Sequence, residues 1–139
     1  MRNLSVFVFG VFFLLLFSNI TVQAQNEPVL YLCVEYGDDG EESISDVFTT
    51  GYLTVVVKCD YKLGLEDVHI QFDKYNAKKD KWEFYKKFDY TIDPSHKYVY
   101  FARNDDSDMS FDETGFFRVY LLDDNDKVIA STIVKIIDK

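Results

Sequence analysis

What this chain of 139 residues has little of sets the first bounds on it. Two prolines and six glycines are scattered singly, with no stretch rich in either and no internal repeat, so nothing marks a linker or a second domain. Two histidines and two cysteines, with no C-x-x-C pair and no Cys/His ligand spacing, offer structural zinc no ligand set. The Gly-x-Ser-x-Gly, His-Glu-x-x-His and phosphate-loop patterns are all absent. His69 lies in a strand-like run, and Ser95 beside His96 is not a nucleophile and its base, because such groups are brought together from distant positions by geometry. The acid-rich stretches 104–108 and 123–126 supply oxygens without the glycine and terminal glutamate of a calcium loop, and turn propensity already explains Asp and Asn there. The reading is of a non-enzymatic chain with no cofactor and no metal.

Basic residues are scarce as well. Fifteen Lys and Arg stand against 24 Asp and Glu, a formal charge of −9. Nucleic acid and anionic membranes select basic surfaces, so neither is expected as a partner. Long apolar runs are limited to one, at residues 6–17 behind the single cation Arg2, and at about 12 residues it is short of the ~20 that a membrane span needs. With Val22-Gln23-Ala24 after it, this is the pattern of a secretory signal peptide at 1–24, cut before Gln25. The expectation is an exported chain, secreted or periplasmic, with one domain over 25–139 and no membrane span in the mature part. In such a compartment Cys33 and Cys59 are permitted to bridge, worth about 3–4 kcal/mol on the chain-entropy argument, or to remain two small unpaired core residues.

What is present is strand. Short runs rich in Val, Ile, Tyr and Phe recur about every ten residues between Asp, Asn, Gly and Ser, the rhythm of an all-β sandwich or barrel. Strands are expected over 29–35, 52–59, 68–75, 82–88, 90–92, 98–102, 116–122 and 128–137, with YGDDGEESISD as an acidic loop after the first. In 52–59 the alternation puts Leu53, Val55, Val57 and Cys59 on one face. In 82–88 it groups Trp82 and Phe84 with Lys86 and Phe88, and sets Tyr85 opposite. Both parities of 128–137 are apolar, so pattern does not choose its inward face. The last two runs form a hairpin through 123–127. No segment holds a helical period.

Residues 113–119, Glu-Thr-Gly-Phe-Phe-Arg-Val, resemble the acid-x-Gly-x-Tyr-x-Cys pattern that opens strand F of immunoglobulin-like domains. With the strand rhythm, the chain resembles an immunoglobulin-like or fibronectin-III-like antiparallel two-sheet sandwich of about seven to eight strands, in its bacterial form. Phe117 stands where that pattern has a tyrosine whose hydroxyl clasps the upstream chain, and Val119 where it has a cysteine. The resemblance then implies sheets joined by apolar packing alone, with Phe117 inward.

The charges segregate along this order. Lys74, Lys78, Lys79, Lys81, Lys86 and Lys87 crowd one hairpin against Asp80 and Glu83, and the acidic loops fall at the same end of the sandwich. Lysines on an edge hairpin discourage edge-to-edge pairing. The functional alternative makes Lys78, Lys79, Lys81, Trp82 and Tyr85 a partner surface, although alternation leaves at most one of the two aromatics outward. The expected partner is another cell-envelope or extracellular protein. A glycan is the second class, read by exposed Tyr or Trp, and an acidic inhibitor of a basic exported enzyme is the third. A row of coplanar exposed aromatics would mark the glycan reader; an apolar patch ringed by charge would mark the protein binder.

Overall fold

Alternating apolar residues account for most of the architecture. The computed structural model describes residues 27–139. The expected signal peptide at 1–24 and its cut lie outside the described residues. Twelve strands follow in order: β1 (Val29–Cys33), β2 (Glu35–Gly37), β3 (Gly40–Glu42), β4 (Val47–Thr49), β5 (Gly51–Tyr52), β6 (Thr54–Lys58), β7 (Asp67–Asn76), β8 (Lys81–Thr91), β9 (Tyr98–Phe101), β10 (Ser110–Phe111), β11 (Gly115–Asp123) and β12 (Val128–Ile137). Among the described residues there is no helix, and so none long and apolar enough to cross a membrane.

A three-stranded sheet has the order β1-β6-β9, and a five-stranded sheet the order β4-β12-β11-β7-β8. Neighbours are antiparallel except β4, which runs parallel to the end of β12, Val47 opposite Lys135. The inner faces meet in one cluster. Leu30, Leu32, Val55, Val57 and Phe101 come from the smaller sheet; Val68, Ile70, Phe72, Phe117, Val119, Leu121, Val134 and Ile136 come from the larger. The molecule is all-β and sandwich-like. Burying each such side chain contributes about 1.5–3 kcal/mol, and no covalent link joins the two sheets.

β12 turns its even-numbered residues inward, Ala130, Val134 and Ile136, because these oppose Leu121, Phe117 and Gly115 on β11. That leaves Ile133 and Ile137 outside. The grouping expected in 82–88 is corrected by a bulge. Phe72 pairs with Lys86 and Asp73 with Phe84, so Tyr85 has no partner on β7. One extra residue reverses parity: Phe88 and Lys86 face the interior side while Phe84 and Trp82 face outward. The stretch also continues without a break, so the expected runs 82–88 and 90–92 are one strand.

Both cysteines are free. Cys33 lies opposite Thr54, whereas Cys59 follows the Val29–Lys58 pair at the other end of the same ladder. At about 3.3 Å per residue that separation far exceeds the ~7 Å limit for a bridge, so the candidate Cys33–Cys59 disulfide does not form within the chain.

Phe117 is fully buried, with Phe111 and Tyr85 edge-on at 5.0 and 5.1 Å. On β8, the edge strand of the same sheet, Tyr85 Oη accepts the N–H of Asp112 at 3.3 Å, a few residues upstream of Phe117. Gly115 opens β11 at φ +133°, where a Cβ would be strained and would press on Lys74 Cε at 3.4 Å. The glycine of the Glu-Thr-Gly stretch is therefore a backbone requirement.

Candidate functional site

The outward face of the five-stranded sheet gathers apolar and aromatic side chains that alternation would normally make polar. Across four strands, Phe84 pairs with Asp73, Asp73 with Arg118, and Arg118 with Ile133. Beside that row, Trp82 pairs with Tyr75, and Phe116 with Lys135, which pairs in turn with Val47. Phe84 is 66% exposed, Phe116 48%, Ile133 47% and Val47 44%, so the patch is open to contact along most of its width.

Arg118 anchors the patch. Phe117 and Val119 point inward, which forces Arg118 and Tyr120 outward. The guanidinium lies over the Trp82 ring at 4.3 Å and the Tyr120 ring at 5.9 Å, and Nη1 donates to Tyr120 Oη at 3.2 Å. Cation–π contact of this kind holds the cation and the indole in one orientation. Lys135 sits over Phe116 at 5.8 Å. Neither Arg118 nor Lys135 makes an ion pair among the described residues, although Asp73 is next to Arg118; its carboxylate accepts from Gln71 Nε2 at 2.8 Å instead.

Charge borders the patch. Glu83, turned to the other face with Lys74, accepts from Asn76 at 2.9 Å and from Lys79 at 2.9 Å, with Lys81 at 3.7 Å, and these contacts hold its pKa below the ordinary value. Tyr75 donates to Asp80, which raises the tyrosine's pKa. On the far side Lys87 pairs with Asp126 at 2.5 Å, and His69 Nδ1 meets Asp89 at 2.6 Å.

The sequence-expected surface is divided by this geometry. Lys78 and Lys79 occupy the exposed β7–β8 turn, and Lys81 begins β8 on the rim. Trp82 lies within the patch, half-buried under Arg118. Tyr85 does not, since it faces the opposite side from Trp82, as alternation expects, and packs against Phe117. Phe84, Phe116, Arg118, Ile133 and Val47 escaped the sequence reading. Their signal was an apolar surplus: β12 is apolar on both parities, and Phe116 precedes Phe117, more apolar surface than one core-facing side needs.

The basic hairpin and the acidic β9–β11 connection meet at one end. Lys74 pairs with Glu113, and Lys86 Nζ reaches Asp112 at 2.8 Å, Asp108 at 3.4 Å, and both the Ser110 carbonyl and hydroxyl at 2.9 Å. A recess of about 750 Å³ lies away from the patch, lined by Pro28, Leu63, Leu65 and Ile129 together with Glu27, Tyr61, Lys127 and Ser131, and it is open to solvent. The sheet face combines exposed aromatics with a cation held in place over an indole ring, and is the stronger site. Among the described residues no three His, Cys, Asp or Glu side chains converge as a metal ion would require. No protein-family model matches this chain, and no curated protein matches it.

Proposed function

We propose that this chain is an exported, immunoglobulin-like interaction module that binds another cell-envelope or extracellular protein through the outer face of its five-stranded sheet. The immunoglobulin-like reading is supported by the division of eight strands into sheets of three and five, and by β4 running parallel to β12 while β1 joins the opposite sheet. The binding reading rests on one observation: an exposed apolar patch built around the Arg118–Trp82 stack and bordered by the Lys87–Asp126 and His69–Asp89 pairs. Tryptophan and arginine are the residue types most often found at the energetic centre of protein interfaces. A large apolar patch with a charged border fits a protein partner. Trp82 and Tyr75 are tilted by 55°, which is a poor platform for the flat face of a sugar ring.

The test is capture from the native envelope with the 25–139 chain as bait, compared with Phe84→Glu and Arg118→Glu. One stoichiometric protein is expected with the parent chain. Its loss in both variants, by about 2 kcal/mol or roughly 30-fold in affinity, would locate the interface on this face. Recovery of glycan alone would overturn the proposal. Binding that is unchanged by both substitutions but collapses with salt would favour the acidic-inhibitor reading.

A further inference from the structure

The outer face of the three-stranded sheet is closed by a piece of the chain that belongs to neither large sheet. Residues 35–42, the acidic stretch expected as a loop, form the β2–β3 hairpin, paired only with itself. Val34 N–H donates to the Glu42 carbonyl at 3.0 Å, and an isolated Leu32–Ser45 bridge closes the base. Among the described residues no backbone hydrogen bond ties 35–42 to either large sheet.

Side chains hold the hairpin down. The Tyr36 ring lies flat on Tyr100, centroids 4.2 Å apart at 7°, and leans on Tyr98 at 6.0 Å. Glu41 Oε1 accepts from Lys58 Nζ at 2.8 Å and from Tyr31 Oη at 2.5 Å. Beneath lie residues that sheet parity turns outward, away from the core. Cys33 and Val56 are 0% exposed and Thr54 is 4% exposed although they point to this side, where Tyr36 and Glu41 of the hairpin pack on the flanking Tyr100, Tyr31 and Lys58. The cover also closes over the Tyr98 hydroxyl, where burial and the neighbouring Tyr36 and Glu41 of the hairpin push its pKa up.

We propose that residues 34–44 are a lid that swings off the three-stranded sheet about the Leu32–Ser45 base while both sheets stay folded, and that it gates access to the Cys33 thiol. Opening breaks one carboxylate clasp and one ring stack and leaves every ladder of the sandwich intact. Such units open at a free energy below that of global unfolding. Val34 and Ser43 are the pivots: Val34 is half-exposed, and Ser43 already sits at φ +56°.

Labelling by N-ethylmaleimide without denaturant, followed by peptide mass spectrometry that resolves Cys33 from Cys59, tests the lid. Cys33 is expected to react slowly at a rate nearly independent of low denaturant, as local opening requires. Glu41→Gln and Tyr36→Ala should each speed Cys33 by about tenfold or more, the factor for losing a charge-assisted hydrogen bond or an aromatic contact, with Cys59 unchanged as the internal reference. Should either variant be poorly folded, its urea midpoint shows it and the other decides. Cys33 labelling that follows global unfolding, with a steep denaturant dependence, overturns the proposal. So does sub-global labelling that neither substitution accelerates.

Discussion

Phe117 and Phe84 are the same residue type on neighbouring regions of one sheet, and they have opposite roles. Phe117 is fully buried between Phe111 and Tyr85, with Lys74 over its ring at 5.8 Å; Phe84 is 66% exposed. Truncating the first removes apolar contact and leaves a cavity that close-packed neighbours only partly fill. Phe117→Ala should therefore cost about 3–5 kcal/mol, read as a fall in the urea midpoint at unchanged slope. Phe84→Ala should stay within about 0.5 kcal/mol of the parent, since an exposed ring off any special backbone contributes little to stability. Equal costs for the two would refute the assignment of faces. The sequence placed Phe117 inward correctly; it put Phe84 on one face with Lys86 and Phe88, because a bulge leaves no mark in the alternation of residue types.

At the scale of elements, the long β9–β11 connection is held to β8 by Lys86, by Tyr85, which accepts from Asp112 N–H, and by Tyr90, which bonds the Ala102 carbonyl and the Ser107 hydroxyl. Lys86 is on the interior side of the sheet, and its ammonium meets Ser110 and Asp112 at the rim. Partial burial works to lower its pKa, but Asp112 and then Asp108 outweigh it, and the net shift is upward. Asp112 is correspondingly held below its ordinary value by Lys86 and Ser110. Lys86→Met keeps the stem and removes the donors, taking one donor from the carbonyl of buried Ser110 while its hydroxyl keeps the bond to Asp112 at 2.9 Å. The expected loss is about 1–3 kcal/mol, with faster amide exchange across 103–112 than across β11. Exchange that rises uniformly instead would mean that Lys86 supports the whole sheet. Charge segregation along the sequence foretold this meeting of a basic hairpin with acidic loops. It did not foretell that Glu41 would leave that end and clasp Lys58.

For the whole molecule, the ion pairs set the acid limb of stability. Lys58 and Tyr31 hold Glu41 down from an ordinary 4.5 to about 2. Asp126 is lowered by Lys87, Glu83 by Asn76 and Lys79, and Asp93 by Ser95. A carboxylate with a depressed folded pKa binds its proton more readily in the unfolded chain. Its stabilisation is complete above the unfolded value and is lost as pH falls through the folded one. The urea midpoint should thus be flat from neutrality down to about pH 5 and decline progressively below it. Glu41→Gln should flatten the part of that decline between 4.5 and about 2, the interval over which Glu41 itself is protonated. Parallel curves for parent and variant across that interval would show that the clasp is not retained in solution.

The sequence by itself determined the class: period-two alternation in β6, β7 and β11 is a local property, and turn residues at regular intervals leave a chain of this length no alternative to packed sheets. It also carried Gly115 and Phe117, whose roles follow from backbone conformation and apolarity at one position. The tertiary structure alone decided what sits outside. The inward face of β12, the outward turn of Trp82 and Phe84, the Tyr85 hydroxyl bonded to Asp112, and the folding of 35–42 over Cys33 all depend on register between strands distant in sequence. A shift of one residue in such a register exchanges the two faces of a strand without changing its composition, so no pattern read along the chain distinguishes them.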